Sequence, residues 1–201
     1  MLASKDAVSD HNELAARMWG SGGRAYDDIS FAISDALAHA AQRLNPQSGE
    51  KILNVGTGTG WSARNVARRG AHVEAVDISS ELLAAARELS GHIEPSIAFQ
   101  LADVERLPFS DGHFDGVIST FGVMFAPDQH RAAAELGRVC RKGGRLALAT
   151  WMPGGAVEKF FAVSPSMAIR FRLPRHRSRG VIRSMWRRSS GKISSSRSKS
   201  A

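Results

Sequence analysis

Cysteine is almost missing from this sequence. Cys140 is the single one among 201 residues, which excludes an internal disulfide and a cysteine-built metal cluster. It falls at the end of a predicted helix and reads as a packing residue. The seven histidines are scattered without ligand spacing, so no metal centre is expected. No stretch approaches the ~18 apolar residues of a membrane span. Met1 to Asp6 has no apolar signal core, so a cytoplasmic protein without a membrane partner is expected. Hydrophobic content of 43% and charged content of 23% suit a soluble globular chain of one domain's length.

Acidic residues are lacking in one region only. Residues 164–201 hold 9 Arg and 2 Lys with no acid, a net +11, while the preceding 163 residues hold 16 basic and 19 acidic side chains, a net −3. The formal charge of +8 therefore describes neither part. The body is mildly acidic and the excess basicity is terminal.

What is present centres on Lys51 to Trp61. Ile52, Leu53 and Val55 form an apolar run bounded by a lysine and glycines, as a buried parallel strand does. Gly56, Gly58 and Gly60 follow at once, and Ser62 to Arg69 reads as a helix. Glycine accepts the dihedrals of such a turn and has no Cβ to hold a ligand off. The helix N-terminus behind it offers free N–H groups and partial positive charge.

Around this junction the elements alternate. Residues 1–27 are polar and irregular, with one or two helical turns over Leu14 to Trp19. Asp28 to Leu44 is predicted as one amphipathic helix, with Ile29, Ile33, Leu37, Ala40 and Leu44 on one face and Pro46 as its stop. Further strands are expected over Ala71–Asp77, Ser96–Leu101, Phe114–Thr120 and Arg145–Trp151. Helices are expected over Glu81–Leu89, capped by Ser79 or Ser80, and over Asp128–Arg141, ended by Gly143 and Gly144. Strands separated by helices at this spacing predict an α/β fold: an open, doubly wound, Rossmann-like parallel sheet.

In such a sheet a ligand sits beyond the carboxyl ends of the strands. That rule gathers Gly56, Thr57, Gly58, Asp77, Asp103, Ser119, Thr120 and Phe121. Asp77, ending the second strand, can accept hydrogen bonds from two ribose hydroxyls. Asp103, ending the third, can bind a purine's exocyclic amine, and Ile78 and Val104 can sandwich the base. Together they describe an adenosine site. Gly58-x-Gly60-x-x-Ala63 also fits the loose dinucleotide fingerprint, so an NAD-type oxidoreductase is an alternative. Counted from Gly56, however, the third position is Trp61, where close helix–strand packing needs a small residue.

Five segments, ILNVGTGTG (52–60), VEAVDIS (73–79), LADVERLPF (101–109), FDGVISTFGVMFAPD (114–128) and RVCRKGGRLALATW (138–151), stand in one order. In them the chain resembles the class I S-adenosylmethionine-dependent methyltransferases, in particular the small-molecule type 11 group. The agreement runs from about Trp19 to about Val163. The resemblance implies S-adenosyl-L-methionine as cofactor and a small-molecule methyl acceptor. It implies that the backbone at Gly56, Gly58 and Gly60, with Thr57, contacts the amino acid end of the cofactor. Asp77 would hold the ribose and Ile78 lie on the adenine, Asp103 and Val104 would read the adenine edge, and Thr120 and Phe121 would floor the methionine moiety. Trp19 and Tyr26 are weaker candidates in the segment 1–27 that covers the cofactor. Many members carry Asp where this chain has Asn54, so weaker binding of the cofactor's ammonium is expected. Phe121, Met124 and Phe125 are core or substrate wall. No catalytic base is named.

The methyltransferase domain is then expected over 28–163, followed by a basic tail over 164–201. The family continues into a further helix and two strands at that point, and a tail with 11 Ser among 38 residues cannot supply them. A nucleic-acid arm is the alternative reading of the tail, at odds with the acidic body. The hypothesis adopted is a shifted reading frame. Read one base earlier around Met185 and Trp186, the codons permit the acidic, amphipathic segment that the family places there. Resequencing the gene settles it. On that reading the C-terminal strands are missing, and reduced or lost cofactor affinity and marginal stability are expected.

Overall fold

The structure, a computed structural model, describes residues 7–152 and Gly155. The basic tail expected over 164–201 lies outside the described residues.

Five strands form one sheet: β1 (Lys51–Val55), β2 (His72–Asp77), β3 (Ala98–Leu101), β4 (Phe114–Thr120) and β5 (Cys140–Ala149). They pair in the order β3-β2-β1-β4-β5, every pair parallel. This is the expected Rossmann-like α/β sheet. Its order reverses between β1 and β4, where chain direction along the sheet switches and a crevice opens.

The apolar run of β1 is buried on both faces because it lies at the centre. Ile52 points into a cluster with Leu44, Ala63, Val66, Val73 and Ile118. Leu53 and Val55 point the other way, towards Val76, Phe114, Val117, Leu136 and Val139. That alternation is the two-residue strand period. The first cluster is covered by α3 (Ser34–Leu44) and α4 (Trp61–Ala67), the second by α6 (Gln129–Val139). Leu37, Ala40, Ala41 and Leu44 give α3 one buried stripe, and Asn45 ends it in the left-handed conformation at φ 51°. Ser79 caps α5 (Ser80–Ser90), its hydroxyl accepting from the Leu82 N–H at 3.2 Å.

Three expectations need correction. The single helix over 28–44 is broken: α2 (Tyr26–Ala32) stops at Ile33, which has φ −117° and ψ 16°, and α3 starts after it. The break turns α2 off the α3 stripe, so Ile29 is exposed while Ser30 and Ile33 face the cavity described below. Secondly, residues 1–27 are not irregular throughout: the helical turns expected over Leu14 to Trp19 are present as α1 (Glu13–Gly20). Thirdly, α6 ends at Val139 and β5 at Ala149, short of Arg141 and Trp151. Cys140 already pairs opposite Phe114, and the chain bulges before Arg145 regains register opposite Gly116. Gly143, at φ 74°, makes that bulge.

Among the described residues β5 is an edge, hydrogen-bonded to β4 alone. No described helix is long and apolar enough to cross a membrane.

Candidate active site

Above the carboxyl ends of β1, β2 and β4 lies a cavity of about 990 Å³, counting its open mouth. Its floor is the turn after β1. Gly56, Gly58 and Gly60 all have positive φ, of 64°, 56° and 90°. At Gly56 a Cβ would fall 2.9 Å from the Gly122 Cα. Two backbones therefore meet with nothing between them, which only glycine allows. A Cβ on Gly58 would point across the cavity to Tyr26, 3.7 Å from its ring.

Asp77 closes the tip of β2. One carboxylate oxygen accepts from the Gly58 N–H at 2.7 Å and the other from the Ser79 N–H at 3.0 Å. Burial pushes its carboxyl above the usual range, against the pull of the N–H bonds from Gly58, Ser79 and Ile78. Among the described residues no cation pairs with Asp77 to offset that penalty. Burial also raises the Tyr26 phenol, and the nearby Asp77 charge raises it further.

Asp103 lies beyond β3 with its acceptors largely taken. Oδ2 accepts from the Ser9 N–H at 3.1 Å and from Asn12 Nδ2 at 2.8 Å. Oδ1 accepts from the Glu105 N–H at 2.9 Å. Burial works against the charge, but the bonds from Asn12, Glu105 and Ser9 outweigh it and hold the carboxyl below its ordinary range.

Helices α1 and α2 roof the cavity. Asp27 ties the roof to the floor: its Oδ1 accepts from Thr59 Oγ1 and from Trp61 Nε1, each at 2.7 Å. The buried Arg64 guanidinium stands 3.7 Å from the same oxygen and lies over the Trp61 ring. Trp19 packs edge-on to Tyr26, with centroids 6.1 Å apart, and against Phe125 at 4.9 Å. On the β4 side, Phe121 stacks on Trp151 at 4.1 Å and holds φ 55°, a strained value for a non-glycine residue.

Of the residues singled out from sequence, Gly56, Thr57, Gly58, Asp77, Ile78, Asp103, Val104, Thr120 and Phe121 all line this one cavity, as do Trp19, Tyr26 and Phe125. Asn54 and Gly60 do not. The Asn54 side chain is buried between strands, donating to the Ile118 carbonyl at 3.2 Å and accepting from Thr57 Oγ1 at 2.7 Å. It braces the turn that follows β1. Gly60 faces Arg64, Ala86 and Ser90 behind the loop. Sequence reasoning missed Asn12, Asp27, Ser30 and Ile33. Their positions follow from the break at Ile33 and from the N-terminal segment crossing to Asp103, and neither leaves a local signal.

The cavity fits an adenosylated amino acid. It offers an uncompensated carboxylate beside a glycine turn with room for main-chain approach, apolar side chains at Ile78, Leu82 and Val104, and one unmatched buried acceptor, Asn12 Oδ1. Among the described residues no three His, Cys, Asp or Glu side chains gather as metal ligands would.

Comparison with known proteins agrees. Residues 53–148 match a family model described as a methyltransferase domain. An uncharacterised protein of Mycobacterium tuberculosis is 38% identical over 143 residues, covering 66% of this chain and 52% of that protein. The demethylmenaquinone methyltransferase of Beutenbergia cavernae is 31% identical over 156 residues, covering 73% of this chain and 63% of its own. An S-adenosylmethionine-dependent methyltransferase structure from Mesorhizobium loti superposes with a TM-score of 0.51 at 27% identity, covering 57% of this chain and 53% of that one. The chain spans about half to two thirds of the length of these relatives.

Proposed function

The domain belongs to the type 11 group of class I S-adenosylmethionine-dependent methyltransferases, and from that membership we propose that the protein transfers a methyl group from S-adenosyl-L-methionine to a small-molecule acceptor. The observation that carries the reading is Asp77: a buried carboxylate with no cation partner among the described residues, fixed by the Gly58 and Ser79 N–H groups. Such a group needs hydroxyl donors, which a ribose supplies as a pair. When bound, the cofactor supplies an already activated methyl on a sulfonium.

The chain's own residues have the tasks of holding and drying. Asp77 accepts the ribose hydroxyls, Gly56 and Gly58 let the main chain reach the amino acid end, and Ile78 and Val104 flank the base. Trp19, Phe121 and Phe125 keep water from the reacting side, where desolvation strengthens every polar contact. Fixing two reactants in line can lower a barrier by up to ~7–11 kcal/mol without a covalent role for the protein. The small-molecule acceptor is supported by the aromatic wall of the cavity and by the demethylmenaquinone methyltransferase among the relatives. The family match favours this over the dinucleotide reading. The test is calorimetric titration of the full chain with S-adenosylhomocysteine and, separately, with NAD. Binding of the first alone is expected; saturable binding of NAD alone would reverse the assignment.

A further inference from the structure

Arg64, the only charged residue of α4, is 6% exposed. A buried guanidinium is costly unless its charge and its donors are matched. Here the two needs are met from different parts of the fold. Nη1 donates to the Thr59 carbonyl in the glycine turn at 2.6 Å, and to Ser90 Oγ on α5 at 3.5 Å. The counter-charge comes from the roof: Nη2 stands 3.7 Å from Asp27 Oδ1. Among the described residues Asp27 is the one carboxylate within ion-pair reach of Arg64. Burial pushes the guanidinium pKa down, the Asp27 charge opposes that shift, and the nearby Arg68 adds to it.

Thr59 is held twice. Its hydroxyl donates to Asp27 Oδ1, the oxygen that also accepts from Trp61 Nε1, and its carbonyl accepts from Arg64. Thr59 follows Gly58 directly, and the Gly60 N–H closes the turn on the Thr57 carbonyl at 2.9 Å. Fixing Thr59 therefore fixes Thr57 and Gly58, which line the cavity. Asp77 depends less on this arrangement, because the Ser79 N–H at the start of α5 gives it a second hold. Neither Asp27 nor Arg64 lines the cavity, so any effect of theirs on a ligand passes through the turn.

We propose that Asp27 and Arg64 are positioning residues acting as one unit: docking of α2 supplies the counter-charge, and the guanidinium it steadies sets the turn that receives the cofactor's amino acid end. The inference deepens the proposed function and rests on it. A charge removed from either side loosens the turn while the ribose keeps its carboxylate. Ligands that carry the amino acid end then lose affinity, and ligands that stop at the ribose and sulfur are spared. A small misplacement of a contact group is enough for such a loss.

The test is calorimetric titration of the full chain with S-adenosylhomocysteine and with methylthioadenosine, which keeps the adenosine and the sulfur but lacks the amino acid. Asp27→Asn retains an acceptor for Thr59 and Trp61 and removes the charge. Its affinity for S-adenosylhomocysteine is expected to fall at least about tenfold, and that for methylthioadenosine by less than about threefold. Arg64→Met is expected to show the same split. The double variant should lose little more than either single one, because the pair acts as a unit. A purely structural brace would weaken both ligands alike. Equal losses for the two ligands, no loss in Asp27→Asn, or losses that add in the double variant overturn the proposal while the cofactor reading stands. If neither ligand binds the wild-type chain, both fall. Should Arg64→Met fail to fold, the split between the ligands in Asp27→Asn still decides.

Discussion

Gly56 and Gly58 share a turn and a positive φ, yet a methyl group added to each should do different damage. At Gly56 (φ 64°) an alanine must hold a left-handed conformation, at about 1–2 kcal/mol. Its Cβ would also lie 2.9 Å from the Gly122 Cα. That neighbour is backbone and cannot rotate away, so overpacking adds about 1–3 kcal/mol. Gly56→Ala is thus expected to lose roughly 2–5 kcal/mol, a large share of a domain's ~5–15 kcal/mol. At Gly58 the conformational penalty is similar, but the new Cβ meets only the Tyr26 ring at 3.7 Å, an ordinary contact. Gly58→Ala should therefore lose only about 1–2 kcal/mol. Its methyl stands in the cavity, so S-adenosylhomocysteine affinity should fall at least about tenfold, the equivalent of a lost contact of ~1.4 kcal/mol. Urea denaturation gives the stabilities and calorimetry the affinities. Equal stability losses in the two variants, or undiminished binding by Gly58→Ala, would refute the argument that one glycine serves packing and the other access.

Asp27→Ala removes the acceptor for Thr59 and Trp61 and the carboxylate beside Arg64. A stability loss of about 2–3 kcal/mol is expected, with faster proteolysis between α1 and α3; an unchanged digestion pattern would contradict the clamp. Ser79→Ala deletes the α5 cap and should cost about 1–2 kcal/mol by urea melt. The folded Asp103 carboxyl is held below its ordinary value, so its stabilisation is present above about pH 4 and is lost as pH falls through the lower folded value. Asp103→Asn should accordingly flatten the acid limb of a melting-temperature profile, and a limb as steep as wild type would show that other carboxylates set it.

The sheet was legible in the sequence because parallel strands buried on both faces leave short apolar runs, as Ile52-Leu53 and Val117-Ile118 do. The strand-tip acids were legible for a related reason: Asp77 interrupts such a run at the point where the chain leaves the sheet. The roof was less so. Ile29 and Ile33 have helical spacing with Leu37, and the pattern alone reads as one continuous face. The break at Ile33 comes from contacts far along the chain, Asp27 with Thr59 and Trp61, which outweigh the local period. The role of Asn54 was legible only through the family resemblance; in the structure its side chain also engages Ile118 and Thr57 within the sheet. The tail lies outside the described residues, and its reading rests on composition.

Asp77 also makes the site a reporter of its own occupancy. Burial holds its carboxyl above the ordinary value, and an incoming diol that hydrogen-bonds the anion lowers it again. Complex formation below that raised pKa should therefore expel hydrogen ions into solution, and tighten as the medium turns more alkaline. The heat evolved would change with the ionisation enthalpy of the chosen buffer, so two titrations in phosphate and in a tertiary amine suffice to count the protons leaving.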